Sequence, residues 1–197
     1  MELLKVKDVK PKDLDGLSNE QIDEHWALYE KYVERVNYIC NIDSELKINK
    51  DNEVLNNYRI DLAKQLAFER NGVVLHELYF QNLKSGIMFS TDSKFHDLIL
   101  TSFDTFDEYL DDFRTIAKAR GENWIMTVYD MEMKHLRNVV IDSHEHYVMY
   151  QNVPLIVMDN WTHSYAVDYS LADRTKYVEV FIKNIDWDIV EIRSSHL

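Results

Sequence analysis

The chain has a single cysteine, Cys40, among 197 residues, which excludes an intrachain disulfide framework and suits a reducing compartment. Two prolines and four glycines are all that interrupt it, so long helices are expected. No apolar run approaches the length of a membrane span, and the stretch from Met1 to Asp8 carries charges where a secretory leader would carry an apolar segment. The expectation is a cytoplasmic protein with no membrane association. Basic residues are also scarce. Against 35 Asp and Glu stand 22 Lys and Arg, a formal charge of −13, which opposes binding to nucleic acid or to an anionic membrane. An anionic small substrate would need a local positive patch to overcome that field.

Apolar and aromatic residues, by contrast, are plentiful. Hydrophobic residues make up 46% of the chain, with twelve tyrosines, eight phenylalanines and four tryptophans, enough to fill the core of one compact unit or two closely packed ones. There is no tandem repeat and no low-complexity tract.

Residues 1–16 are charged and carry Pro11 and Gly16, which suggests an extended arm leading into a helix. Ser18 followed by Gln21 resembles a capping box, and Ile22, Trp26, Tyr29, Val33 and Val36 then recur at helical spacing. This predicts an amphipathic helix of about twenty residues, ending near residues 39–41. His25 and Tyr32 lie on nearly one face of it. After a polar link from Asp43 to Asn52, a second helical region is expected from Glu53 to Leu83. Gly72 within it marks a break, a close approach of another group, or a tolerated interior glycine. The run from Val73 to Phe80 is apolar almost all round, implying a buried helix with His76 in its middle. A buried imidazole needs a partner for each nitrogen, and a metal is one such partner.

Shorter helices are expected over Asp92–Leu100 and Thr105–Arg120, the latter closed by Gly121. Three β-rich runs follow, at Trp124–Tyr129, Leu136–Asp142 and Val153–Met158, and then two helical segments at Arg174–Lys183 and Trp187–Ile192. The fold class is therefore α+β: an N-terminal long α-hairpin domain, residues 1–84, then an α/β domain, residues 85–197, with a small three-stranded antiparallel sheet. Directly after the last strand, Asp159 and His163 stand four residues apart where a helix should start. That spacing suits either an N-cap with an incidental histidine or two metal ligands.

The pattern Asp159, Trp161, His163, Tyr165 with Asp168-Tyr169, then Tyr177-Val178-Glu179 with Phe181, then Asn184 to Asp188, resembles the C-terminal signature of the iron/manganese superoxide dismutases. The segment from Val74 to Leu83 is similar to that family's second ligand helix, and the helix with His25, Tyr32, Val36 and Asn37 to its first. The resemblance implies one iron or manganese ion per chain held by His25, His76, Asp159 and His163, and the disproportionation of superoxide to dioxygen and hydrogen peroxide, an antioxidant oxidoreductase activity. Three imidazoles and one carboxylate suit a redox-active first-row ion. In the proton-delivery roles the resemblance places Tyr32 and, since Gly72 replaces the glutamine of many iron forms, His144. His146 is the other imidazole on that loop and stays open for the same role. Trp124 and Trp161 are expected to line the cavity, and Arg174 and Lys31 are candidates for a positive funnel.

Several positions depart from the family pattern. The interval from His25 to Tyr32 is one residue short, as removal of a π-bulge would produce, and Glu24 is an alternative for the first ligand. Thr162 and Ala166 replace a glutamate and a tyrosine that join subunits in the family, so a homodimer with a different interface or a monomer is expected. A non-catalytic metal-binding or interaction protein on the same fold is the competing reading, as is a metal site acting on another oxidant.

Overall fold

In a computed structural model, residues 2–46, 52–146 and 151–197 are described. Two long helices come first, α1 (Asn19–Leu46) and α2 (Glu53–Gln81), then α3 (Lys94–Phe103) and α4 (Phe106–Ile116). Strands β1 (Trp124–Asp130), β2 (His135–Ile141) and β3 (Asn152–Asp159) precede α5 (Arg174–Lys183) and α6 (Trp187–Ser194). The α+β class and the three-stranded antiparallel sheet agree with the sequence-based expectation.

The first helix begins where Ser18 predicts, its Oγ accepting from Gln21 N at 3.0 Å, but it runs on to Leu46 rather than ending near residue 40. Residues 47–51 of the expected polar link lie outside the described residues. The apolar stripe of α1 is buried as its spacing requires, with Ile22, Tyr29, Val33 and Val36 all packed in the core. Residues 2–18 form the expected arm. It is held along α1 by paired hydrogen bonds between Asn37 and the backbone of Leu4, at 2.8 and 2.9 Å, and by Lys7 N donating to the Tyr29 hydroxyl at 3.0 Å.

The second helix passes through Gly72 without a break. Of the three readings of that glycine, close approach is the one observed: a Cβ there would lie 2.8 Å from His144 Nδ1 and 3.0 Å from Tyr32 Cδ1. The helix expected over Thr105–Arg120 is shorter, because Thr105 is its cap, accepting from Glu108 N at 3.1 Å, and the chain turns after Ile116.

In the sheet, β1 is central, pairing antiparallel with both neighbours in the order β2-β1-β3. Residues 124–128 of β1 are accordingly buried on both faces. Pro154 sits on β3 at the point where the register with β1 shifts between Thr127 and Val128. A strand on the sheet's edge tolerates a missing N–H there. Beyond the shift the register runs cleanly to Trp124 opposite Asp159, which places the last residue of β3 at a defined height beside α2.

Asn82, just past the end of α2, joins the helical hairpin to this strand. Its side-chain oxygen accepts from Val157 N at 2.9 Å, and its backbone carbonyl accepts from Asp186 N at 2.7 Å. Among the described residues, no helix is long and apolar enough to cross a membrane.

Candidate metal centre

Four side chains from three parts of the chain converge between the hairpin and the sheet. His25 comes from α1, His76 from α2, Asp159 from the end of β3 and His163 from the turn that follows. One potential ligand atom from each lies within 4.8 Å of all the others. Asp159 Oδ2 is the common point, 3.0 Å from His25 Nε2, 3.0 Å from His163 Nε2 and 3.6 Å from His76 Nε2. His25, His76 and Asp159 are buried, while the His163 side chain is 27% exposed. Glu24 is exposed on the next position of α1; one residue along a helix turns the side chain by about 100°, away from the cluster.

The tautomer of His76 follows from its neighbours. Its Nδ1 lies 2.7 Å from the carbonyl oxygen of Gly72, an acceptor only, so Nδ1 carries the hydrogen and Nε2 the lone pair. That Nε2 is buried without a hydrogen-bond partner. A bare imidazole lone pair facing a carboxylate and two more imidazoles in a dry interior fits a cation bound among them.

Electrostatics follow the same geometry. Burial opposes charge on Asp159, yet His163 and then His25 outweigh it by charge and hydrogen bond, holding the carboxyl well below the usual carboxylate range. Burial lowers the pKa of His25 against the pull of Asp159. His76 is pushed well below its ordinary value, by burial and then by the charge of His25. For His163 burial is again the largest influence and acts downward, but Asp159 and then Glu122 prevail and raise its pKa. Without a metal, these directions favour the charged form at Asp159 and His163 and the neutral form at His25 and His76.

The turn after β3 differs from the helix expected at once after Asp159. It is a single 3-10 turn, Thr162–Ser164. Trp161, the residue before that turn, makes no side-chain cap bond; Asp159 instead holds the backbone through Oδ1, which accepts from Trp161 N at 2.9 Å, and its other carboxylate oxygen faces His163. The Asp159 carbonyl accepts from the Tyr177 hydroxyl at 2.6 Å and from Ser164 Oγ at 2.9 Å. Glu122 accepts from Thr162 N at 2.7 Å and from the Thr162 hydroxyl. Gln21, on α1, bonds the backbone of His163 and of Val167.

Tyr32 and His144 border the cluster. The Tyr32 ring lies 5.0 Å from that of His76 and 5.2 Å from that of His144. Its hydroxyl pKa is raised by burial and then by Asp159 and Glu69, so it keeps its proton. His144 is fully buried, packed 5.6 Å from Trp124 and 5.4 Å from Trp161, whereas His146 on the same short turn is exposed. The turn is attached to α2 by Asn71, whose side chain donates to the His144 carbonyl at 2.8 Å. Trp124 and Trp161 also pack on the ligand rings, at 5.1 Å from His76 and 5.8 Å from His163. Arg174 is engaged elsewhere: its guanidinium donates to the carbonyls of Lys118 at 3.2 Å and Gly121 at 3.5 Å. Lys31 borders an open groove of about 450 Å³ that reaches His163, but Glu20 and Glu24 border it too.

Gln21, Asn71 and Glu122 were not predictable as parts of this site. Gln21 reads as a capping-box residue, and neither Asn71 nor Glu122 has a spacing that links it to His144 or Thr162.

The chain is similar to known proteins over most of its length. An iron superoxide dismutase of Aquifex pyrophilus is 35% identical over 196 residues, covering 96% of this chain and 90% of that protein. One from Aquifex aeolicus is 34% identical over 190 residues, covering 94% and 87%. A manganese superoxide dismutase of Haloferax volcanii is 32% identical over 125 residues, 64% of this chain and 62% of that protein. The family model for the C-terminal domain of iron/manganese superoxide dismutases matches residues 91–193, the region that contributes Asp159 and His163, and with two iron-type relatives aligned over nearly the whole length the chain belongs to the iron/manganese superoxide dismutase family.

Proposed function

We propose that this protein disproportionates superoxide to dioxygen and hydrogen peroxide at one iron or manganese ion held by His25, His76, His163 and Asp159. The observation that carries the reading is the buried, unpartnered lone pair of His76 Nε2 facing Asp159 Oδ2 at 3.6 Å, within a four-donor cluster. The ion would supply electron exchange, cycling between two oxidation states as successive superoxide anions arrive.

The chain's own residues supply everything else. Asp159 balances positive charge in a low-dielectric interior, where an unbalanced ion would be strongly disfavoured. The Gly72 carbonyl fixes the His76 ring so that Nε2 faces inward. Trp124 and Trp161 exclude bulk water from the imidazole edges. Peroxide formation consumes two protons, and Tyr32, protonated throughout the physiological range, is the group that donates near the cluster. His144 closes the other side of the cavity and supports the Tyr32 ring. We further propose that the chain divides functionally at residue 84, so that the hairpin 1–84 brings two ligands and the α/β unit 85–197 the other two. Metal binding then couples to the docking of the two units.

Pulse radiolysis of separately iron- and manganese-loaded protein tests this reading. Catalytic decay of superoxide with at least one metal is expected. No turnover with either, at full occupancy, sinks it in favour of a non-catalytic member of the family.

A further inference from the structure

The Gln21 side chain does not close the capping box that its position after Ser18 predicts. In such a box it would accept from Ser18 N–H, but that N–H donates instead to Asp168 Oδ2 at 2.7 Å. The Gln21 carboxamide, fully buried, reaches across to the turn after β3. Its Nε2 donates to the carbonyl of His163 at 2.8 Å and its Oε1 accepts from Val167 N at 2.9 Å. Only one orientation of the amide satisfies both bonds.

His163 O and Val167 N are i and i+4, the two groups that pair with each other in an α-helix. The flanking bonds of that kind are present, Ala166 N to Thr162 O at 3.0 Å and Tyr169 N to Tyr165 O at 2.8 Å. Two bonds of that kind lie between them: the one from Val167 N to His163 O is replaced by an inserted side chain, and Asp168 N turns to Tyr165 O at 3.1 Å instead of Ser164 O. Residues 162–169 thus form two stretches of helical bonding separated at Tyr165, whose φ of −145° leaves the helical path, and the Gln21 amide spans that opening at the residue that carries the fourth imidazole. Gln21 also stands one turn before His25 on α1, so a single helix fixes one ligand directly and another through this wedge.

We infer that Gln21 is a positioning residue which sets the place of His163 by occupying the helical hydrogen-bond slot between His163 and Val167; this rests on the metal-site reading above. Its removal lets the two backbone groups pair directly, tightens the turn and draws the His163 ring away from Asp159, while the fold keeps its other attachments through Glu122 to Thr162 and Ser18 to Asp168.

The test uses Gln21→Leu, which matches the side chain in size and makes neither bond, and Gln21→Glu, which keeps the acceptor for Val167 N–H and loses the donor to His163. In the metal-loaded Leu variant, release of iron or manganese to a chelator should accelerate by about 10- to 100-fold, with an altered ferric electron paramagnetic resonance spectrum. The Glu variant should shift in the same direction by less. Both should unfold cooperatively when metal-free. Wild-type release rates and spectra in both variants would overturn the inference, as would a variant whose only defect is lower stability of the metal-free protein. In metal-free protein the 13Cα shifts of residues 163–167 should become more helical in the Leu variant, and unchanged shifts would also overturn it. A wild-type protein that retains neither metal refutes the site reading, and the Cα shifts then still decide the role of Gln21.

Discussion

The His144 imidazole occupies the space that a side chain at Gly72 would fill, with Nδ1 only 2.8 Å from where a Cβ would stand. Gly72 lies in the interior of α2, so its missing side chain weakens the helix by about 1 kcal/mol relative to alanine. The packing of His144 against Tyr32, Phe68, Trp124 and Trp161 is what the vacancy permits.

Gly72→Ala therefore should not stabilise the helix as such a change ordinarily does. The added methyl meets His144 and also Tyr32 Cδ1 at 3.0 Å, both within a packed interior, and an overpacking penalty of about 1–3 kcal/mol should outweigh the helix preference. In a His144→Ala background the nearer clash is gone and the penalty should shrink by at least ~1 kcal/mol. Urea unfolding of the four proteins measures the coupling. Additive effects would mean that the two positions do not compete for this space.

The geometry also separates two candidates for the first ligand. His25 is 3.0 Å from Asp159 Oδ2, and Glu24 lines the outer groove with Lys31 and Ala166. His25→Ala should lose most bound metal, and Glu24→Ala should keep the wild-type content, as read by elemental analysis of purified protein. Metal retained in the histidine variant and lost in the glutamate variant would reverse the assignment.

Acid should destabilise the metal-free protein beginning below about pH 6.5, the ordinary histidine value. His25 and His76 have folded pKa values below it, chiefly through burial, so the unfolded chain binds more protons and stability falls as pH falls. The slope can reach about 1.4 kcal/mol per pH unit for each such histidine. His163, with a raised value, has the opposite sign. Its contribution is complete below pH 6.5 and is lost as pH rises through its folded pKa, so it does not flatten the acid limb. The depressed Asp159 carboxyl adds its own loss only once pH falls below the ordinary carboxylate range. Urea midpoints at pH 7, 6 and 5 should decline, and His76→Gln should reduce the slope. Equal midpoints across that range would contradict the neutral, buried state of His76.

The α+β order and the three strands were legible because they rest on local pattern, whereas the grouping of His25, His76, Asp159 and His163 came from the resemblance to the iron/manganese superoxide dismutases. Helical spacing along α1, an apolar run around His76, and a carboxylate and imidazole four apart after a strand each left an ordinary structural reading open. Less visible were features made by side chains from distant segments. After the turn Thr162–Ser164 the chain leaves the helical path at Tyr165, and the bridge from Gln21, some 140 residues earlier, to His163 and Val167 has no local signature. Arg174 near a family position suggested a funnel, yet its guanidinium meets the carbonyls of Lys118 and Gly121, and no periodicity signals such a partner. Gly72 could be read three ways until His144 was seen against it.

Tyr177 offers a final check on how Asp159 is held. Its hydroxyl has one hydrogen and lies 2.6 Å from the Asp159 carbonyl and 3.2 Å from the Tyr79 hydroxyl. The carbonyl can only accept, so Tyr177 donates to it and accepts from Tyr79. Tyr177→Phe removes that donor, but the single Ser164 hydroxyl hydrogen, within reach of the Trp161 carbonyl at 2.7 Å and the Asp159 carbonyl at 2.9 Å, can turn to the latter, so the expected loss is about 1 kcal/mol, that of one hydrogen bond rather than of an orphaned buried acceptor. Ser164→Ala alone should cost a similar amount. With both changes the carbonyl has no side-chain donor left, and the double variant should be destabilised beyond the sum by about 0.5–2 kcal/mol. Denaturant unfolding of the metal-free proteins measures this directly, and strict additivity would mean that the two hydroxyls do not share the Asp159 carbonyl.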